Sequence, residues 1–376
     1  MTRAAPQLPD FPWDSLAAAK ARAAAHPDGI VDLSVGTPVD PTPDVVQEAL
    51  RRAADSPGYP TTHGTDELRE AIAGWLARRR GVTLDPRAIL PVIGTKELVA
   101  WLPTLLGVRG TVGFPELAYP TYEVGALLAG AAAVRGDSTV AWGPIGPDLL
   151  WLNSPANPTG AVLPEEHLAK VIQWARTRST VVASDECYAG LEWDAAAPSL
   201  LADRLTGGDH TGLLLVHSLS KRSNMAGYRF GFVAGDPALV AGLLEVAKHA
   251  GLMVPGPVQA AAAAAYRDDA HALAQWDRYA ERRAALLPAL ATAGFRLDHS
   301  EAGLYLWATE GRPCTETVDR LAGLGILVAP GDFYGPRGAE HVRIALTATD
   351  ERIEAAVRRL TCPEEAVEPP FGASSG

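Results

Sequence analysis

Short apolar runs recur along the chain at 30–35 (IVDLSV), 89–93 (ILPVI), 149–153 (LLWLN), 180–184 (TVVAS), 213–217 (LLLVH) and 230–234 (FGFVA). Between many of them lie stretches with helical spacing, at 44–54, 65–80, 96–106 and 164–178. The Ala-rich segment 256–265 reads as a buried helix. Alternation of strand and helix implies an α/β fold with a mostly parallel central sheet covered on both faces. Ligands of such sheets sit at the carboxyl ends of the strands. After residue 294 the pattern changes. Runs at 294–298, 303–308, 326–329 and 341–346, then a helix near 350–360, predict a small α+β domain. The polar-faced helix 268–293 links the two parts. No internal repeat is visible.

The chain of 376 residues is too long for one ordinary core and predicts two domains. The expected division is an N-terminal arm and part of the small domain over 1–40, a large domain over 41–270, and a C-terminal small domain over 271–362. The last segment, 363–376 (PEEAVEPPFGASSG), is expected to be disordered. A net charge of -11 argues against nucleic acid as a partner. No run reaches the roughly 18 apolar residues of a membrane span, and the N-terminus lacks a signal-peptide pattern. Cys187, Cys314 and Cys362 are odd in number and far apart, which argues against a disulfide framework or a zinc site. Free thiols suit a reducing cytoplasm.

The chemistry gathers at the ends of the apolar runs. One is followed by Asn153-Ser154-Pro155-Ala156-Asn157-Pro158-Thr159-Gly160, and the next by Ser184-Asp185-Glu186-Cys187-Tyr188. A third leads into His217-Ser218-Leu219-Ser220-Lys221, with Arg229 eight residues on, and His341-Val342-Arg343-Ile344 comes near the C-terminus. Each has an ordinary reading alone: a solvated lysine, a capping or turn aspartate, a turn asparagine before Pro158, an exposed strand arginine. Together, in this order, they resemble the fold-type-I, pyridoxal 5'-phosphate (PLP)-dependent class I/II aminotransferases. The resemblance runs from about residue 30 to residue 360 and is specific as a set.

The resemblance assigns roles. Lys221 is the amine that links covalently to PLP, and a lysine enclosed by cations and apolar walls is partly deprotonated. Asp185 pairs with the pyridine nitrogen and keeps it protonated. Tyr188 and Asn157 reach the 3'-oxygen. Gly94, Thr95, Lys96, Ser218, Ser220 and Arg229 form the phosphate site, with Gly94-Thr95-Lys96 opening a helix. Tyr119 stacks on the ring, whereas Tyr122 reads as a core aromatic. Arg343 matches the arginine that binds the substrate α-carboxylate, and Gly36 lies against the substrate. Tyr59, in an element like YxxxxGxxxLR, reaches the phosphate of a neighbouring subunit, so a homodimer with shared sites is expected.

Longer segments, among them SLSKRSNMAGYRFGFVAGDPALV and KHAGLMVPGPVQAA, resemble actinobacterial-type succinyldiaminopimelate aminotransferases. That implies glutamate as donor and N-succinyl-2-amino-6-oxopimelate as acceptor, in lysine and diaminopimelate synthesis. No single residue encodes this substrate. Its two distal carboxylates would need cations, for which Lys96, Arg222, Lys248 and His249 are candidates. An aminotransferase of other specificity, or a PLP-dependent carbon–sulfur β-lyase, would keep every cofactor residue. A non-catalytic PLP sensor is disfavoured by the acidic charge and by the lack of room for a helix-turn-helix ahead of residue 30.

Overall fold

The computed structural model describes residues 8–143 and 146–362. The expected disordered tail at 363–376 lies outside the described residues. In chain order the strands are β1 (Val31–Asp32), β2 (Ile89–Val92), β3 (Thr111–Phe114), β4 (Ala132–Arg135), β5 (Leu149–Asn153), β6 (Val181–Asp185), β7 (Leu213–Ser218), β8 (Gly231–Gly235), β9 (Arg296–Leu297), β10 (Tyr305–Thr309), β11 (Ile326–Leu327), β12 (Ala329–Pro330) and β13 (His341–Ala345). The helices are α1 (Ala17–Ala24), α2 (Asp44–Arg52), α3 (Asp66–Trp75), α4 (Thr95–Leu105), α5 (Thr121–Ala129), α6 (Glu165–Arg176), α7 (Asp203–Thr206), α8 (Pro237–Ala250), α9 (Gly256–Arg267), α10 (Ala270–Thr292), α11 (Cys314–Gly323) and α12 (Asp350–Thr361).

The main sheet has the order β2-β8-β7-β6-β5-β3-β4. From β7 to β4 the strands are parallel, and β8 runs antiparallel to both β7 and β2. Alternate residues serve opposite faces, as strand pleating requires. Leu150, Leu152, Leu213 and Leu215 pack with Ile72, Ile172 and Ala261 on one side. Leu149, Trp151, Leu214 and Val216 pack with Leu102, Tyr122 and Leu243 on the other. Both faces are therefore covered, which is why these strands read as continuous apolar runs. Strands β3 and β4 were not expected from the sequence. Each has four residues, and β4 is a partly exposed edge, so neither carries a strong apolar run.

The second sheet, β12-β13-β10-β9, is antiparallel, and β1 pairs parallel with β11. Leu16, Ala19, Val31 and Leu33 from the N-terminus share one apolar cluster with Leu306, Leu321, Ile344 and Ile353. The apolar run at 30–35 thus yields only the two-residue β1. Beyond it the chain leaves the small sheet and crosses to the large one, and that crossing segment lines the site.

Candidate active site

Parallel register brings the polar strand ends to one edge. Asn153 and Asp185 are partners across β5 and β6, and Ser218 closes β7 beside them. Asn153 Nδ2 donates to the Asp185 carbonyl at 2.9 Å, and its Oδ1 accepts from the Asn157 amide at 2.7 Å. The asparagine thereby fixes the turn that carries Asn157. The Asp185 carboxylate is buried. Its Oδ2 accepts from the Tyr122 hydroxyl at 2.8 Å and its Oδ1 from the Cys187 amide at 3.2 Å. Burial raises this carboxyl above its usual range, and the bonds from Cys187 and Tyr122 oppose that rise only in part.

Lys221 projects into the same cleft and donates from Nζ to the Gly36 carbonyl. Burial lowers its pKa, and the neighbouring Arg343 cation adds to the effect while Tyr305 opposes it. Arg343 is buried, with its guanidinium carbon 3.9 Å from the Tyr305 ring centroid. Its Nη1 donates to Asn157 Oδ1 at 2.9 Å and its Nη2 to the Ser34 carbonyl at 2.6 Å, while Nε is buried without a protein partner. The Tyr188 and Tyr305 hydroxyls lie 3.2 Å apart. Tyr305 is the more acidic of the pair, because Arg343 and Lys221 outweigh its burial. A Cβ at Gly36 would come within 2.2 Å of the Tyr305 hydroxyl, so only glycine fits.

Opposite lies a cradle of donors. The Ser220 amide donates to Ser218 Oγ at 3.0 Å, and the two hydroxyls are 2.8 Å apart. Arg229 has positive φ, an unusual conformation for a residue with a side chain. Its Nη1 donates to the Ala226 carbonyl at 2.8 Å. Gly94, with φ of 77°, is the N-cap of α4, and a Cβ there would approach Arg229 Nη2 to 2.3 Å. Thr95 Oγ1 accepts from Cys187 Sγ at 3.3 Å, and no side chain caps α4, so its first amides have no intrahelical partner.

Apart from Ser34, Gly94 and Tyr122, these groups line one cavity of about 1400 Å³. Lys96, Tyr119 and Tyr188 are on its wall as well. Burial pushes the Tyr119 phenol up to about 12. Tyr59 is not on this wall and is 98% exposed. Arg222, Lys248 and His249, candidate distal cations, do not line the cavity of this chain either. Arg222 is buried against Trp75 and Tyr266, with Asp269 at 3.8 Å, and Lys248 pairs with Glu245 on α8 at 2.6 Å. Tyr122 is the core aromatic that the sequence suggests, and its hydroxyl in addition serves Asp185. Sequence reasoning also missed Tyr305, Arg135 and the aromatic group Phe11, Trp13 and Phe333. All five line the cavity, and Trp13 sits 5.6 Å from both Phe11 and Phe333 between ring centroids.

Residues 28–360 match the family described as Aminotransferase class I and II. The chain belongs to this family. It is 65% identical over 358 residues to a probable aminotransferase of Mycobacterium tuberculosis, covering 94% of this chain and 86% of that one. It is 58% identical over 357 residues to the 4-dedimethylamino-4-oxo-anhydrotetracycline transaminase OxyQ of Streptomyces rimosus, covering 94% and 99%. Among solved structures it resembles a probable N-succinyldiaminopimelate aminotransferase from Thermus thermophilus, with TM-score 0.83, 30% identity, and 95% and 100% coverage.

The aminotransferase is thus PLP-dependent, and its cleft fits that cofactor. The Gly94–Arg229 cradle, with no room for a Cβ, offers amides, hydroxyls and a guanidinium suited to a phosphate. Asp185 is a buried carboxylate with neutral donors, which suits a protonated ring nitrogen. Lys221 supplies an enclosed amine of lowered pKa. Among the described residues no helix is long and apolar enough to cross a membrane, and no cluster could hold a metal ion.

Proposed function

We propose that this aminotransferase moves the amino group of L-glutamate onto N-succinyl-2-amino-6-oxopimelate, in ping-pong fashion. The observation that carries this reading is charge on the cavity wall. Beyond Arg343, which suits the α-carboxylate, the wall bears Lys96 and Arg135. The acceptor has two further carboxylates, for which Arg135, paired with Glu123 at 2.9 Å, and the Lys96 side chain, with its backbone amide left to the phosphate, are the candidate partners. The Thermus neighbour, whose name includes N-succinyldiaminopimelate, supports the same acceptor.

When bound, PLP supplies the electron sink that makes loss of the substrate Cα proton feasible. Lys221 would hold it through its amine and, with that amine free, would serve as the base that takes the substrate Cα proton and the acid that gives it up again. Asp185 holds the ring-nitrogen proton, with Tyr122 and the Cys187 amide fixing the carboxylate. Tyr188 and Asn157 serve the 3'-oxygen, and Tyr119 covers the ring. Gly94, Thr95, Lys96, Ser218, Ser220 and Arg229 hold the phosphate. Arg343 fixes the α-carboxylate and thereby orients the Cα–H bond. The working unit is a homodimer in which Tyr59 reaches the partner's phosphate site. Three unpaired cysteines suit a cytoplasmic location.

A coupled assay across keto acids, with glutamate as donor, tests the reading. It expects the succinylated acceptor to have the highest kcat/KM. A preference for aromatic or branched-chain keto acids overturns the acceptor and leaves the aminotransferase intact. The Phe11–Trp13–Phe333 wall favours a second reading, a bulky ring ketone like that in the name of the 58% relative. The same panel, with such a ring ketone added, decides between them.

A further inference from the structure

The segment from Leu33 to Pro41 touches both ends of the substrate site through its backbone. The Leu33 carbonyl accepts from the Ala345 amide at 2.9 Å, Ser34 from Arg343 Nη2 at 2.6 Å and Val35 from Thr347 Oγ1 at 3.1 Å. The Gly36 carbonyl accepts from Lys221 Nζ. Four carbonyls in a row thus set where the carboxylate-binding arginine and the reactive lysine stand relative to each other.

The far end of this segment is tied down by Asp40. Arg282 of α10 grips its carboxylate with both Nη atoms, at 2.8 Å and 2.6 Å, and Gln275 Nε2 adds a bond at 2.8 Å. The Asp40 and Arg282 side chains are only 9% and 3% exposed. Arg282 Nε also donates to Asp350 at the start of α12, at 2.7 Å. Gln275 Oε1 accepts from Asn224 Nδ2 at 2.8 Å, and Asn224 donates to the Pro41 carbonyl at 3.2 Å. Asn224 stands three residues after Lys221. One buried cluster therefore joins the crossing segment, the Lys221 loop, α10 and α12. A bidentate guanidinium–carboxylate pair fixes distance and angle together, which a surface ion pair does not.

We propose that Asp40 is a positioning residue for transamination: clamped by Arg282 and Gln275, it sets the 33–41 backbone so that Gly36 meets the Lys221 amine while Ser34 holds Arg343. The proposal rests on the roles given above to Lys221 and Arg343. Asp40 touches neither substrate nor cofactor. It acts through a carbonyl ladder whose displacement by about 1 Å can cost roughly 100-fold in rate.

The test uses the purified holoenzyme with kinetics expressed per PLP-containing site. For Asp40→Asn, KM for glutamate and for the acceptor should rise about tenfold or more, with kcat falling alongside. In the apoenzyme, the pH midpoint for labelling Lys221 by an amine reagent should move down, because the protonated amine loses its carbonyl partner. Asp40→Glu should restore part of both. Asp350→Asn removes the other, exposed partner of Arg282 and should stay within about threefold of wild type. A merely structural role would lower the melting temperature and the fraction of active sites, and leave KM and the labelling midpoint unchanged. That result overturns the proposal, as does an Asp350→Asn variant as impaired as Asp40→Asn. If Asp40→Asn does not fold, Arg282→Lys gives the same reading, since it keeps the charge and gives up the bidentate grip. Retained turnover in Lys221→Ala, or an unchanged KM in Arg343→Lys, would instead point to failure of the site assignment itself.

Discussion

The Tyr122 hydroxyl donates to Asp185 Oδ2 at 2.8 Å in a region closed to solvent, and Tyr122 itself stacks on Trp151 at 5.1 Å. The phenol cannot lose its proton there, because burial and the adjacent Asp185 both raise its pKa. It is a fixed donor to a carboxylate that burial pushes toward protonation. Tyr122→Phe should therefore raise the Asp185 pKa further and weaken its hold on the cofactor ring nitrogen. A hydrogen bond to a charged group contributes about 1.5–3 kcal/mol, so single-turnover reaction with glutamate should slow roughly 10- to 100-fold. An unchanged single-turnover rate would show that Asp185 does not depend on Tyr122.

Lys221→Ala should abolish turnover and the visible absorbance of the lysine-linked cofactor. PLP should still be retained by the cradle around Arg229, Ser218 and Gly94, and equilibrium dialysis would measure it. Borohydride reduction followed by peptide mass spectrometry reads the covalent link. A PLP-modified peptide from the variant would show that another amine is the anchor.

Arg343, proposed to bind the substrate carboxylate, also bears on Lys221. Arg343→Ala should cost about 2–5 kcal/mol in kcat/KM, the range for leaving a buried charge unpaired. Arg343→Lys should also be weak, since a point charge cannot reproduce contacts to Asn157, Ser34 and the Tyr305 face. The Lys221 amine is held low first by burial and then by this guanidinium. Removing it in Arg343→Ala should move the labelling midpoint of apoenzyme Lys221 to higher pH. Because the folded pKa lies below the unfolded one, the unfolded chain binds more protons between the two values. Wild-type apoenzyme should gain stability as pH rises through that window, and the variant should gain less. A midpoint that stays put in Arg343→Ala refutes the coupling.

Much of the site was legible because its chemistry sits at strand ends in short contiguous motifs. Asn153-to-Gly160, Asp185-to-Tyr188 and Ser218-to-Lys221 carry their own signal, and the apolar runs before them mark β5, β6 and β7. Residues that act through tertiary pairing gave none. Tyr305 lies in an apolar strand, and only the β10–β13 register and the approach of Gly36 show its hydroxyl facing Lys221 and Arg343. Tyr122 has the environment of a core residue on every side except its hydroxyl. Arg135 ends an edge strand whose four residues resemble a loop, and it faces the cavity because the Glu116 and Tyr334 carbonyls each hold it at 3.0 Å. The Asp40–Arg282 pair spans 242 positions, beyond any local pattern.

The proposed homodimer turns on where Tyr59 goes. On its own chain the side chain is 98% exposed and lies off the cavity wall, although it belongs to the element resembling YxxxxGxxxLR. An aromatic side chain of that exposure gains little from solvent. The arrangement makes sense if a second copy brings its own Tyr59 to the phosphate cradle. Two variants, Tyr59→Ala with Lys221 intact and Lys221→Ala with Tyr59 intact, should each be strongly impaired as homodimers. After subunit exchange, a mixed dimer built on shared sites holds one site with neither group and one that is fully wild type. Activity should then reappear, reaching about half of a wild-type dimer for each mixed dimer formed. If Tyr59 served its own chain, both sites of the mixed dimer would remain singly defective, and no activity would return. Subunit exchange proven by mass or by affinity tags, with activity no higher than that of the separate variants, would exclude the shared site.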